Sequence, residues 1–105
     1  CHIGATNRII IGNDVVVASR VFITDHFHGN TTYNDLQIPV RNRLLYSKGP
    51  VVIGNNVWIG EGASILPNVT IGDNSIVAAH AVVTKNIPAN SIAVGCPARI
   101  IRTIN

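Results

Sequence analysis

Aliphatic residues recur at every sixth position of this sequence, and this period constrains the fold more than any other feature. The positions are Ile53, Ile59, Ile65, Ile71, Val77 and Val83, and the same phase returns upstream at Ile11, Val17 and Ile23. The residues two places earlier are apolar or small, and alternation along a strand puts both positions on the same face. Because a fixed period decides the architecture before single elements are assigned, both positions are expected to face a common interior.

The two remaining positions of each unit are rich in Asn, Asp, Gly and Pro, which tolerate turn geometry. Each hexapeptide is therefore predicted to be a four-residue strand followed by a two-residue corner. Three units close a triangular coil of 18 residues, which predicts that Ile53 stacks on Ile71, Ile59 on Val77 and Ile65 on Val83. Stacked coils form an all-β parallel solenoid with an aliphatic interior. A sandwich of short alternating strands would not keep so strict a period.

The composition supports this interpretation. The 105 residues include 16 isoleucines and 13 valines but 4 leucines, which is typical of strands, and with 47% hydrophobic and 12% charged residues the chain is not disordered. The length predicts one domain, residues 1–105, and the lack of methionine indicates an incomplete N-terminus. Two cysteines without a spaced framework favour a reducing, cytoplasmic setting. The net charge of +3 lacks the basic stripe with aromatics that nucleic-acid binding requires.

The period breaks between residues 24 and 50, and a long insertion of this kind is usually functional. It begins at the corner formed by Asp25 and His26, which is expected to be exposed. Removal of a proton from a substrate needs a base that titrates near neutral pH, and imidazole suits this role. His26 is therefore the candidate general base. Asp25 could orient the imidazole, although adjacent residues reach that side-chain geometry with difficulty.

Several segments resemble the hexapeptide-repeat acyltransferases, and the likeness covers nearly the whole chain. They are Ile53 to Gly60 (IGNNVWIG), Leu66 to Asn74 (LPNVTIGDN), Ala81 to Pro88 (AVVTKNIP) and Gly95 to Arg102 (GCPARIIR). The likeness is strongest to the maltose/galactoside acetyltransferase-like branch, which includes the O-antigen and capsule O-acetyltransferases. The resemblance implies a left-handed parallel β-helix, a homotrimer, and acetyl-CoA bound between neighbouring subunits, with no metal.

The resemblance also implies the roles of individual residues. His26 would be the base that deprotonates a carbohydrate hydroxyl, which attacks the thioester directly. The backbone N–H of Glu61 would stabilise the oxyanion. The residues implied to bind the cofactor are Trp58, Gly60, Glu61, Ala78, Thr84, Lys85, Arg99 and Arg102. Asn13, Asp25 and His28 are expected to contact the acceptor, a sugar or glycan of lipopolysaccharide or capsule, although His28 has no matched role in the family and could simply be exposed.

Some of these residues have more than one interpretation. Trp58 is predicted to point outward, either into a trimer interface or beside the active-site cleft. The glycines that follow the inward positions either receive the pantetheine arm or permit tight packing. His80 is expected to be a polar corner residue and Cys96 a buried small hydrophobe. The C-terminal cap, residues 96–105, is expected to form a last strand or a helical turn that presents Arg99 and Arg102 on one side.

Other functions remain open on the sequence alone. An antibiotic acetyltransferase is the nearest alternative within the family. The γ-class carbonic anhydrases share this solenoid but use three histidines to bind zinc, and the histidine spacing here does not match theirs. A non-catalytic scaffold would not need an Asp-His corner, an outward Trp and a basic tail together.

Overall fold

The computed structural model describes residues 1–5, 7–28, 36–42 and 45–103. In these ranges the chain forms short strands and one 3₁₀ helix, Val40–Asn42. The strands are β1 (His2–Gly4), β2 (Ile9–Ile11), β3 (Val16–Val17), β4 (Phe22–Thr24), β5 (Phe27–His28), β6 (Leu45–Tyr46), β7 (Val51–Ile53), β8 (Trp58–Ile59), β9 (Ser64–Ile65), β10 (Thr70–Ile71), β11 (Ile76–Val77), β12 (Val82–Val83), β13 (Ser91–Val94) and β14 (Arg99–Thr103). Among the described residues, no helix has the length and apolar character needed to cross a membrane.

The strands stack into three sheets that form the faces of a triangular prism. Face 1 contains β2, β7 and β10; face 2 contains β3, β8, β11, β13 and β14; face 3 contains β1, β4, β9 and β12. Within these three sheets the pairing is parallel except between β13 and β14. The predicted stacks are confirmed by the pairs Ile53 with Ile71, Ile59 with Val77 and Ile65 with Val83. The all-β parallel solenoid is therefore confirmed.

The core lies inside the prism, where the two predicted inward positions of the later coils are buried. Its members are Val21, Ile23, Val51, Ile53, Val57, Ile59, Ala63, Ile65, Val69, Ile71, Val77, Ala81, Val83, Ile87 and Ala93. Ser75 occupies an inward position, and its Oγ donates to the Pro88 carbonyl at 2.8 Å, which satisfies the buried hydroxyl. Ile11 has the predicted inward register, opposite Ile53, but it is 39% exposed because β2 is the edge strand of its sheet in the described residues.

The corners connect the faces with left-handed backbone. At the second corner residue of these units φ is positive, and the non-glycine examples are Asp14, Arg20, Asn56, Asn68, Asn74, His80 and Asn90. Asn tolerates this region better than other residues with a Cβ, and the stacked Asn56, Asn74 and Asn90 amides hydrogen-bond along one corner at 3.0 and 3.1 Å. His80 has φ 61°, so its prediction as a corner residue is confirmed.

The outward glycines are needed for stacking of one coil on the next. A Cβ on Gly60 would lie 2.7 Å from the Ala79 backbone nitrogen. A Cβ on Gly72 would collide with the backbone of Ala89, and one on Gly54 with Asp73. Tight packing within the chain therefore explains these glycines, and the pantetheine interpretation is not required.

The insertion interrupts the prism between β4 and β7. A regular coil places hydrogen-bonded corner residues 18 positions apart, as in Asn55 to Asp73, whereas the coil with the insertion separates Asn13 from Asn55 by 42. The insertion is not structureless, because β5 and β6 pair antiparallel at its base. At the other end, β14 is a strand rather than a helical turn, and Cys96 is exposed rather than buried because it lies in the turn before β14.

Candidate active site

Corner 3, where face 3 meets face 1, carries the predicted base in a hydrogen-bonded setting. His26 Nδ1 lies 3.1 Å from Asp25 Oδ1, and 18% of the histidine side chain is exposed against 0% of the aspartate. A carboxylate can only accept, so the Nδ1–H donates and the proton-accepting position is on Nε2, at the other side of the ring. This is the tautomer that a general base requires.

Two neighbours fix this pair, and the sequence analysis did not find either. The Asn7 backbone N–H donates to Asp25 Oδ2 at 2.6 Å. Thr24 Oγ1 accepts from the His26 backbone N–H at 3.3 Å and donates to the His26 carbonyl at 3.2 Å, which closes a tight turn. Both carboxylate oxygens of Asp25 therefore have a donor. The only sequence signal was the hydroxyl of Thr24 two residues before the candidate base.

The acceptor-contacting role predicted for Asp25 does not fit this geometry, because a side chain with no exposed surface cannot reach a ligand. The corner was expected to be exposed, but the carboxylate is enclosed where Asn7 crosses it. The position of the Asp25 carboxylate instead favours the role of orienting the His26 imidazole. Asn13 lies at a different corner, between faces 1 and 2, where its N–H donates to Asn55 Oδ1 at 2.8 Å. The structure therefore does not bring Asn13 to His26. The side chain of His28 lies outside the described part of the chain.

A largely apolar groove runs over face 2. Its volume is about 460 Å³, and its lining includes four predicted cofactor residues: Trp58, Gly60, Glu61 and Ala78. Trp58 is 55% exposed and points outward, as predicted, beside Ile76 of the next coil. One end of the groove lies at corner 2, where face 2 meets face 3, and there the exposed Glu61 carboxylate pairs with Arg20 at 3.0 Å. The groove can hold an unbranched, mostly apolar chain against the Trp58 ring.

The basic residues predicted to bind phosphate fall into two places. Lys85 and Arg99 line one cavity of about 290 Å³, together with Ala98. Arg102 lies on face 2 opposite Ile92, at the end of the row that runs from Trp58 through Ile76 and Ile92. A register shift in the β13–β14 pair leaves Arg99 and Arg102 opposite Val94 and Ile92, two residues of one face. Both arginines therefore lie on one side of the C-terminal element, as predicted, but this element is a bulged strand and not a helical turn.

Thr84 lies in a third cavity of about 330 Å³, near the root of the insertion. Its other lining residues are Phe27, Lys48, Leu66, Pro67 and Asn68. Lys48 Nζ lies 5.9 Å from the centroid of the Phe27 ring. Thr84 is therefore nearer to the His26 corner than to the Trp58 groove, so the predicted cofactor residues do not form a single cluster within one chain.

Comparison with known proteins identifies the family. Residues 50–85 match the family described as bacterial transferase hexapeptide (six repeats). The putative lipopolysaccharide biosynthesis O-acetyl transferase WbbJ of Escherichia coli K12 is 43% identical over 108 residues, which cover 99% of this chain and 55% of that protein. The galactoside O-acetyltransferase of the same organism is 44% identical over 92% of this chain and 45% of its own length. The chain belongs to the hexapeptide-repeat transferases.

Solved structures agree with this assignment. A galactoside acetyltransferase in complex with coenzyme A superposes with a TM-score of 0.81 at 40% identity, over 99% of this chain and 55% of that one. A maltose O-acetyltransferase from Clostridium difficile 630 gives 0.80 at 37% identity, over 99% and 59%. The hexapeptide-repeat coil is left-handed in this family, and the match over the chain confirms that prediction here. The chain spans about half the length of the curated relatives it matches.

The zinc alternative gains no support from the side-chain arrangement. Within the described ranges, no three His, Cys, Asp or Glu side chains are grouped as ligands of one metal ion would be. His80, which shares a corner phase with His26, lies at corner 2 beside Gly62. The two histidines therefore lie at different corners of the prism.

Proposed function

We propose that this hexapeptide-repeat transferase moves acetyl from acetyl-CoA to a hydroxyl of a carbohydrate, with His26 as general base. The observation that carries the proposal is the hydrogen bond from His26 Nδ1 to the buried Asp25 carboxylate at the root of the insertion. The carboxylate selects the tautomer and stabilises the imidazolium that forms when the base takes a proton. Such a pair is expected where proton transfer occurs.

The chemical step follows from this arrangement. His26 Nε2 removes the proton of the acceptor hydroxyl as its oxygen attacks the thioester carbonyl carbon. The carbon–sulfur bond of the tetrahedral intermediate then breaks, and the imidazolium returns its proton to the leaving thiolate. The described residues on either side of His26 are a buried Asp and a Phe, which are not nucleophiles of the Ser or Cys type. This favours direct transfer over an acyl-enzyme.

The groove on face 2 suits the donor. Pantetheine is a narrow, mostly apolar arm with amide groups, and coenzyme A ends in phosphates that guanidinium groups bind well. The groove supplies the Trp58 ring and the Cα surface of Gly60, and Arg102 lies at the end of the same row. The backbone N–H of Glu61, at the corner 2 end of this groove, is the proposed oxyanion donor. A related structure holds coenzyme A, which agrees with this donor.

The site is proposed to form between two subunits of a homotrimer. His26 lies at corner 3, whereas the Trp58 groove lies on face 2 and ends at corner 2, so one chain does not bring base and donor groove together. A second copy that placed its groove beside the first chain's His26 would complete the site. The exposed Trp58 and Val16, neighbours on face 2, provide an apolar surface for that contact.

The acceptor is proposed to be a sugar of lipopolysaccharide or capsule, and the reaction is placed in the cytoplasm, where acetyl-CoA is available. The relative described as a lipopolysaccharide biosynthesis O-acetyl transferase supports this class of acceptor. The galactoside and maltose enzymes among the relatives and solved structures indicate that simple glycosides are suitable first probes.

The test is acetyl transfer by the purified protein. Acetyl-CoA is supplied with methyl β-galactopyranoside, maltose, N-acetylglucosamine, a 4-amino sugar or chloramphenicol, and both CoA release and the mass of the product are measured. An O-acetylated sugar formed by the wild type and not by His26→Ala supports the proposal. Preference for the amino sugar or chloramphenicol, or activity abolished by a chelator, contradicts it.

A further inference from the structure

A second imidazole lies beside the proposed base, on the neighbouring strand of the same face. Strands β1 and β4 pair His2 with Phe22 and Gly4 with Thr24, so His2 and Gly4 are two residues apart on the outer surface. Gly4 has no side chain to fill the space outside it. A Cβ built there would lie 3.3 Å from His26 Cε1 and 3.4 Å from His2 Nε2. Both rings therefore border one small space above Gly4.

The His2 ring is held in a defined orientation. It stacks on the Phe22 ring with centroids 5.3 Å apart and an interplanar angle of 16°. Its backbone N–H donates to the Val21 carbonyl at 2.8 Å, which anchors the strand. A cross-strand pair gains stability from the stacking alone. In this orientation His2 Nε2 faces the space outside Gly4, 3.4 Å from where a Cβ on that residue would lie.

We propose, building on the acetyl transfer proposed above, that His2 is an acceptor-binding residue and that the acceptor carries a second hydroxyl next to the one that is acetylated. His26 takes the proton from the reacting hydroxyl, and His2 Nε2 hydrogen-bonds the neighbouring hydroxyl. Gly4 leaves the space in which the diol lies against both rings. Vicinal diols are common in pyranoses, so this arrangement selects sugars over acceptors with one isolated hydroxyl.

The neighbouring side chains agree with a neutral, hydroxyl-bearing ligand. The residues next to the two imidazoles on this face, the exposed Phe22, the buried Thr24 and Gly4, carry no charge. Phe22 is 39% exposed and offers the edge of an aromatic ring to the apolar face of a sugar. The one buried carboxylate nearby, Asp25, is hydrogen-bonded to His26 and Asn7.

The test compares His2→Ala, His2→Gln and Gly4→Ala with the wild type at saturating acetyl-CoA. Methyl β-galactopyranoside is the first probe, followed by whichever sugar of the panel the wild type acetylates, and by its monodeoxy analogues. His2→Ala should raise the acceptor KM about tenfold, the cost of one lost hydrogen bond, with kcat and the acetyl-CoA KM changed less than about twofold. His2→Gln should recover part of the loss, and Gly4→Ala should raise the acceptor KM by filling the space. His80→Asn is the matched histidine control.

A double-mutant cycle identifies the contact. The monodeoxy analogue that lacks the neighbouring hydroxyl should already be a poor acceptor for the wild type, and His2→Ala should not weaken it further. Equal KM values for the wild type and His2→Ala, or equal losses with the parent sugar and every deoxy analogue, overturn the inference while leaving the acetyl transfer intact. A wild-type protein that acetylates no sugar contradicts the proposed function and removes this inference with it.

Discussion

The carboxylate of Asp25 is hydrogen-bonded to the imidazole of the next residue in the chain, with Oδ1 3.1 Å from His26 Nδ1. Consecutive side chains seldom meet in this way, because extended backbone directs them to opposite sides. Here the Thr24 hydroxyl binds both the N–H and the carbonyl of His26 and closes a turn that brings the ring back. The pair is therefore a product of local backbone geometry at the start of the insertion.

Asp25→Asn should lower kcat by roughly 10²-fold or more, because it changes the histidine tautomer. The amide oxygen of the substituted side chain would keep the bond from the Asn7 N–H, so its NH₂ group would face Nδ1. An NH₂ donor requires Nδ1 to accept, which places the proton on Nε2, where the base must be free to receive one. Steady-state kinetics measure the loss. Normal kcat in a folded Asp25→Asn protein would remove Asp25 from the mechanism.

His26→Ala should cut kcat by roughly 10²–10⁴-fold, the usual contribution of a positioned general base. The interior should be unaffected, because His26 is a corner residue and its truncation opens no core cavity. Binding of CoA, measured by calorimetry, should therefore be retained. His80→Asn and His28→Ala should each cost far less, and chelators should have no effect. If His28 rather than His26 proved indispensable, the assignment of the base would be wrong.

The period of six was sufficient to predict the prism and its register. Interior residues such as Ile59 and Val77 repeat because each coil must present the same face to the coil above it, and their pairing follows directly. The hydrophobic period does not predict the register of β1 (His2–Gly4) with the next coil. An 18-residue period would place Gly4 opposite Phe22, but the structure pairs His2 with Phe22. The sequence therefore did not predict that His2 is a neighbour of His26.

The site was predictable in its residue types and less so in its geometry. An Asp-His corner at the start of an insertion indicates acid–base chemistry, and that much follows from the sequence. Burial of Asp25 depends on Asn7, which lies in the preceding coil and outside the repeat pattern. The separation of His26 from Asn13 depends on which corner each unit occupies, and a list of motif residues does not contain that information.

Gly72→Ala should destabilise the protein by about 1–3 kcal/mol, whereas Gly4→Ala should not. The added methyl group of Gly72→Ala would collide with the backbone of Ala89 in the next coil, and backbone cannot rotate away as a side chain can. At Gly4 the nearest atoms are 3.3 Å away and belong to side chains. Thermal unfolding should show a Tm lower by several degrees for the first variant only. Equal Tm values would show that the coils separate more easily than this packing indicates.

Replacing Arg99 and Arg102 together by Ala should raise the KM for acetyl-CoA more than it changes kcat. Contacts to a phosphate remote from the reacting atoms contribute to ground state and transition state alike, so they act mainly on KM. Arg99→Ala and Lys85→Ala should each give part of the effect if the cavity they line binds phosphate. Dephospho-CoA should show a smaller difference if the contact is the 3′-phosphate. An unchanged KM in the double variant would leave these arginines without a role in donor binding.

The last prediction concerns the proposed site between subunits, and it is tested by mixing two inactive proteins. His26→Ala removes the base at corner 3, and Ala78→Trp fills the groove on face 2 while leaving His26 in place. When the two variants are co-expressed with different tags, each trimer that carries both tags has about one interface in three that combines an intact His26 with an intact groove. Doubly tagged protein should then show about one third of the wild-type activity per site, because the interfaces of a cyclic trimer are equivalent. Light scattering must give a trimer for the mixture and for each variant alone, so that failure of assembly is not mistaken for failure of complementation. A monomeric wild type, or mixed trimers as inactive as their parents, would show that base and donor groove do not meet across an interface.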